Sequence, residues 1–161
     1  MGFLDWLVGS SKSEGKTSSE EKTSAKEKAE ETPIENKKIL AKPFIITTSF
    51  TPLRLAARKS NSVNLDITIK NITPDPQLVS VDILLPKAAF LGFEPSCINK
   101  VFEKRLGEIK PNESVTTSIK IWGGNQTAPG EYEVGYTVYA HYIGYEKVLN
   151  YQKNKTKLRV V

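Results

Sequence analysis

The 161-residue chain has one cysteine, one histidine and one methionine, and no long uninterrupted apolar run. A lone cysteine, Cys97, excludes an intrachain disulfide and any metal site built from cysteines. A lone histidine, His141, excludes a histidine-based zinc site. No segment approaches the roughly 18 apolar residues that a helix needs to span a bilayer. Residues 3–8 are too short for the apolar part of a secretory signal and follow no basic stretch, so the expectation is the cell interior. Asn71, Asn112, Asn125 and Asn154 each head an N-x-S/T sequon, and without a signal they read as polar turn residues.

Signatures of catalysis are scarce in the same way. The acids are scattered without a D-x-D cluster of the calcium-loop kind. Gly92, Gly107, Gly123, Gly124 and Gly130 suit turns and form no phosphate-binding fingerprint. His141 falls on the outward side of a strand and reads as a surface histidine, with no motif marking a nucleophile for it to activate. Cys97 stands beside Pro95 and Ser96 with no basic neighbour in sequence, and reads as a small buried apolar residue. The chain is therefore expected to be non-enzymatic and to need no cofactor or metal.

What is present divides into three parts: residues 1–9, 10–38 and 39–161. In the first, Phe3, Leu4, Trp6, Leu7 and Val8 cover most of the circumference of a short helix, with Asp5 on the polar side. One or two helical turns do not hold alone in water, so this peptide orders only against a membrane interface, a partner groove or its own domain. Phe3, Leu4, Trp6 and Leu7 are its docking residues. Residues 10–38 are Ser, Thr, Glu and Lys with little apolar to bury, which predicts a disordered tether.

The formal charge of +5 is unevenly spread. Residues 1–40 hold seven lysines against eight acids, and the remainder holds sixteen lysines and arginines against ten. The folded part is the basic part, which mildly favours acidic partners.

From residue 39 the pattern is that of short strands. Val63, Leu65, Ile67 and Ile69 alternate with polar residues; so do Val79, Val81, Ile83 and Leu85, and Val115, Thr117, Ile119 and Ile121. Residues 44–50 are β-rich, with 53–55 as a kinked continuation after Pro52. The clearest stretch follows the Pro129-Gly130 turn: Tyr132, Val134, Tyr136, Val138 and Ala140 share one face. Residues 87–100 read as a crossing segment with a short strand or helical turn, and 142–154 as a polar-aromatic excursion before a final strand at 156–161. About seven to eight strands, with frequent turns and no long helix, predict an all-β antiparallel sandwich preceded by a disordered N-terminal tail.

Ala128-x-Gly130-x-Tyr132-x-Val134 resembles the entry to strand F of immunoglobulin-like domains, which implies that Tyr132 sits at a tyrosine corner. Val134 occupies the place of the second cysteine of antibody domains. Leu106-Gly107-Glu108-Ile109-x-Pro111-x-Glu113-Ser114, with Pro129-Gly130-Glu131-Tyr132, is similar to disulfide-free Ig-like modules of prokaryotes. The CARDB type and the Ig-like domain appended to some α-galactosidases are examples. The resemblance spans about residues 44–161 and brings no catalytic residues with it.

One constellation points to binding. Tyr139, Tyr142, Tyr145 and Tyr151 are interleaved with Lys147, Lys153, Lys155, Lys157 and Arg159 in and beside the connection between the last two strands. Tyrosine supplies rigid contact area and the cations attract acidic groups. The plainer reading is an extended hairpin whose lysines guard an edge strand against aggregation. Three functions follow as expectations. The first is a cytoplasmic adaptor, bound to a protein partner or held at the inner face of the membrane through residues 2–8. The second is a basic sandwich binding nucleic acid through bases stacked on tyrosine, and the third an extracellular adhesion or carbohydrate-associated module.

Overall fold

The structure, a computed structural model, describes residues 42–161. The docking peptide with Phe3, Leu4, Trp6 and Leu7, and the 10–38 tether, lie outside the described residues.

The described chain is all-β, with strands β1 (Phe44–Thr51), β2 (Arg54–Leu55), β3 (Asn61–Asn71), β4 (Gln77–Leu84), β5 (Leu91–Gly92), β6 (Val101–Ile109), β7 (Ser114–Gly123), β8 (Gly130–Tyr142) and β9 (Gly144–Val160). They form a four-stranded sheet in the order β1-β3-β7-β5 and a five-stranded sheet in the order β2-β9-β8-β4-β6. The described strands number nine rather than seven or eight because two of them, β2 and β5, are only two residues long.

Period-2 alternation builds the core. Val63, Leu65, Ile67 and Ile69 of β3 and Ile119 and Ile121 of β7 face Val79, Val81 and Ile83 of β4 and Val134, Tyr136, Val138 and Ala140 of β8, all buried. β8 lies between β4 and β9, the place that strand F holds in an Ig-like sandwich. Val134 is fully buried there, and apolar packing stands where a disulfide would. The Tyr132 hydroxyl donates to the Ala128 carbonyl at 2.8 Å, the bond of a tyrosine corner.

Asn71 ties the turns together. Its buried amide donates to the Ile109 carbonyl at 3.0 Å and the Asp75 carbonyl at 2.9 Å, while its oxygen accepts from the Thr73 amide and hydroxyl. A glycan has no room on this side chain.

Two expectations need correcting. Residues 53–55 do not continue the first strand within its own sheet: β1 pairs antiparallel with β3, whereas β2 pairs parallel with β9 in the other sheet. The chain switches sheets at the cis Thr51–Pro52 bond. Likewise, 142–154 is no excursion. β9 is a single strand of 17 residues that pairs with β8 along the hairpin, with register shifts near the turn. Asn150, Gln152, Asn154 and Thr156 of β9 pair with Ala140, Val138, Tyr136 and Val134 and so share their inner face. With polar residues inside and lysines outside, β9 has no hydrophobic alternation to show.

Candidate functional site

The outward face of the five-stranded sheet gathers the tyrosines and cations. Tyr151, Lys153, Lys155, Lys157 and Arg159 of β9 lie opposite Tyr139, Thr137, Gly135, Glu133 and Glu131 of β8. Cross-strand partners share a face, so the five β9 residues form one outward row. Two lysines of the row meet carboxylates: Lys155 Nζ lies 2.8 Å from Glu133 Oε2, and Lys157 Nζ lies 3.7 Å from Glu131 Oε2. The Lys155 ammonium, bonded to Glu133, holds that carboxyl below its usual range. Tyr139 and Tyr151 have ring centroids 6.3 Å apart at one end of the row.

Beyond that end the hairpin is irregular. Tyr142 pairs with Gly144, yet His141 pairs with Val148, so residues 145–147 bulge out of the ladder. The bulge sends Tyr145 across the sheet, where its hydroxyl accepts the backbone N–H of Gly107 on β6 at 2.9 Å. Gly107 has φ +84° beside a register shift of the β4–β6 pair, so a second irregularity meets the first. The Arg105 guanidinium caps the Tyr145 ring at 4.8 Å.

Underneath lies a pair that the sequence did not signal. Ser80 Oγ and His141 Nε2 are 2.7 Å apart, and both residues are buried. His141 is thus not a surface histidine: it points outward from the sheet but only 7% of it is exposed. The Tyr145 ring meets it edge-on, centroid to centroid 5.1 Å. Burial pushes the imidazole below its ordinary pKa, with Arg105 acting the same way against the opposing pull of Asp82, Glu103 and the Tyr145 backbone.

A serine on an imidazole nitrogen has the outline of a nucleophile and its base, but the third member is not in place. His141 Nδ1 is buried without a hydrogen-bond partner among the described residues. Burial, and then Glu103, raises the pKa of the Asp82 carboxyl, against the lowering pull of Tyr139 and His141. Burial, and then Asp82, raises that of Tyr139.

The tip itself is apolar and exposed. Ile143 is 85% exposed and adopts φ +64°, a conformation rare for a β-branched residue. Tyr142, Val148, Leu149 and Tyr151 are exposed beside it, and Lys147 Nζ lies 5.4 Å from the Tyr142 ring centroid. The structure thus brings Tyr139, Tyr145, Tyr151, Lys153 and Lys155 onto one face and sets Tyr142 and Lys147 at its end. Ser80 and Arg105 carried no sequence signal. A glycine after Ile143 was the one local sign of a tight turn there.

Cys97 lies elsewhere, on a shallow cleft of about 280 Å³ between the 95–97 and 124–126 turns. It is half-buried rather than buried, because it adopts φ +57° in a surface turn, with its thiol 3.5 Å from the Trp122 carbonyl. Burial raises the thiol pKa, with Lys100 opposing, which disfavours the reactive thiolate. Lys100 is held by the Ala89 and Leu91 carbonyls. Among the described residues, no group of three or more His, Cys, Asp or Glu is placed to hold a metal ion, and no helix is long and apolar enough to cross a membrane.

No family model matches the sequence, and no curated protein does. Solved structures of similar shape include Escherichia coli alpha-2-macroglobulin from domain MG7 to its C-terminus, 18% identical with a TM-score of 0.49 over 75% of this chain and 17% of that one. The Pseudomonas fluorescens alkylpurine DNA glycosylase AlkC is 14% identical, TM-score 0.46, over 73% of this chain and 30% of the glycosylase. A CARDB domain from Pyrococcus furiosus is 14% identical, TM-score 0.43, over 73% of this chain and 89% of the domain. This chain therefore spans less than a third of the macroglobulin and glycosylase chains. At these similarities none is a guide to its activity.

Proposed function

We propose that this is a non-enzymatic binding module of the disulfide-free, CARDB-like type. Its N-terminal peptide, through Phe3, Leu4, Trp6 and Leu7, holds it at the inner face of the membrane, and the β8–β9 hairpin presents the contact surface for a protein partner. The observation that carries the reading is the hairpin itself. A run of exposed apolar side chains at its tip continues into a face of tyrosines and lysines. Exposed apolar patches rimmed by charge mark interaction sites. The left-handed Ile143 at the turn costs on the order of 1–3 kcal/mol, and strain of this kind clusters at functional sites.

Against an enzyme reading, the Tyr145 ring packs on His141, and among the described residues no carboxylate bonds its Nδ1. The nucleic-acid reading is weaker because the basic surplus, sixteen lysines and arginines against ten acids after residue 40, is modest and spread over the whole domain.

Two variants of the full chain separate the two contacts. Phe3→Ser with Trp6→Ser should abolish co-sedimentation with phosphatidylcholine–phosphatidylglycerol vesicles, while Lys153→Glu with Lys155→Glu should leave most of it. Equal vesicle binding by the wild type and both variants contradicts the N-terminal anchor.

A further inference from the structure

We infer that the partner is an acidic, extended peptide segment that adds to the five-stranded sheet as a strand along the outer edge of β9. This rests on the hairpin being the contact surface and names how that surface is used.

The backbone makes the case first. Val161 N–H donates to the Leu55 carbonyl at 2.9 Å, and the Val161 carbonyl accepts from Ala57 N–H, so residue 161 points its backbone away from β8. Backbone direction alternates along a strand. Tyr151, Lys153, Lys155 and Lys157 therefore aim N–H and C=O outward, while Gln152, Asn154 and Thr156 aim theirs at β8. Among the described residues, a strand, β2, takes the outer edge only at Arg159 and Val160. Among the described residues, no strand pairs with it from Gly144 to Lys157. β2 shows that a strand fits in this slot, and the slot continues past it.

Side chains then select the occupant. The residues that aim their backbone outward carry the cationic row, so a strand beside them meets Lys153 and, on the side away from their exposed Glu133 and Glu131 partners, Lys155 and Lys157. Exposed pairs of this kind are weak and exchange partners readily. Acidic residues at alternate positions match that row, and like charges opposite one another are disfavoured. A second copy pairing edge to edge through β9 would set lysines among lysines. On the inner side the incoming residues meet half-buried Gln152, Asn154 and Thr156, and the buried Gln152 Oε1 has no hydrogen-bond partner among the described residues. A Ser or Thr hydroxyl there would donate to it. The pattern is acidic residues alternating with Ser or Thr, read by main-chain bonds for affinity and by charge for specificity.

The test uses the full chain and a capped peptide of about eight residues alternating Glu with Thr, a length that runs alongside Tyr151 to Lys157 at roughly 3.3 Å per residue. Binding is followed by fluorescence anisotropy at low salt. The Glu peptide should bind and its Lys counterpart should not. Methylating the peptide's backbone nitrogens at the Glu positions only, or at the Thr positions only, blocks one strand edge at a time. One pattern should abolish binding and the other should be tolerated, and which one reads out antiparallel or parallel addition. Lys153→Pro removes one outward N–H without touching the β8 ladder and should weaken binding about tenfold, against a smaller loss for Lys153→Ala.

Strand addition is overturned if both methylation patterns behave alike, if proline and alanine are equivalent at 153, or if the Glu peptide does not bind. It is also overturned if the full chain self-associates through this edge, seen as a dimer in sedimentation that Lys153→Pro dissociates. Binding that survives Lys153→Glu with Lys155→Glu removes the hairpin surface itself. Binding lost to charge reversal but indifferent to backbone methylation removes only the strand mode.

Discussion

The Tyr145 hydroxyl accepts a hydrogen bond from the backbone N–H of Gly107 at 2.9 Å, joining the irregular end of β9 to the far edge strand of the same sheet. Between them lie Ser80 and His141, buried at a distance of 2.7 Å under the tyrosine ring. Replacing Tyr145 with Phe keeps the cover but loses the bond, and should cost about 1 kcal/mol in urea denaturation. Tyr145→Ala uncovers the pair, and the His141 pKa should then rise toward its ordinary value in an NMR titration.

That burial gives stability a pH dependence. The folded pKa of His141 lies below the ordinary 6.5, so the unfolded chain takes the proton first as pH falls. The contribution is full above about 6.5 and is lost as pH drops toward the folded value. Asp82, raised above 3.8, acts in the opposite sense at lower pH: its contribution is full in acid and is lost as pH rises through the folded value. Urea midpoints taken between about pH 8 and 5.5 should therefore decrease, and His141→Gln should flatten the slope.

Ile143 sets stability against binding. Asn tolerates a left-handed backbone far better than a β-branched residue does, so Ile143→Asn should stabilise the chain by about 1 kcal/mol. The same substitution removes the most exposed apolar side chain of the tip and should weaken partner binding. A thermal midpoint that falls would contradict the strain reading.

Asn71→Ala takes the amide donor from the Ile109 carbonyl and the acceptor from the Thr73 N–H in a buried turn. A loss of about 2–3 kcal/mol in equilibrium unfolding is expected, larger than for any surface substitution on the hairpin.

The core strands were legible because one face of each is packed and the other is wet. Val63 to Ile69 and Tyr132 to Ala140 show this directly, and the latter is where strand F lies. β9 was legible only in part: 156–161 read as a strand and an extended hairpin was the plainer reading, but its inner face carries Asn150, Gln152, Asn154 and Thr156, so no apolar alternation marks its full length. The tyrosines and lysines were legible as a composition, but their division into an outward row and a tip depends on the bulge at 145–147. The Ser80–His141 pair could not be read at all. It joins residues 61 apart in sequence through strand register and is closed by a tyrosine from a third strand.

The most direct measurement is residue-resolved amide hydrogen exchange of the full chain, alone and with the Glu–Thr peptide. Alone, Gln152, Asn154 and Thr156 should be protected by β8, while Tyr151, Lys153, Lys155 and Lys157 exchange quickly at the open edge. With peptide, the second set should become protected and the first should change little. Protection of Lys153 and Lys155 before peptide is added, or none after, would contradict the open edge and the binding surface built upon it.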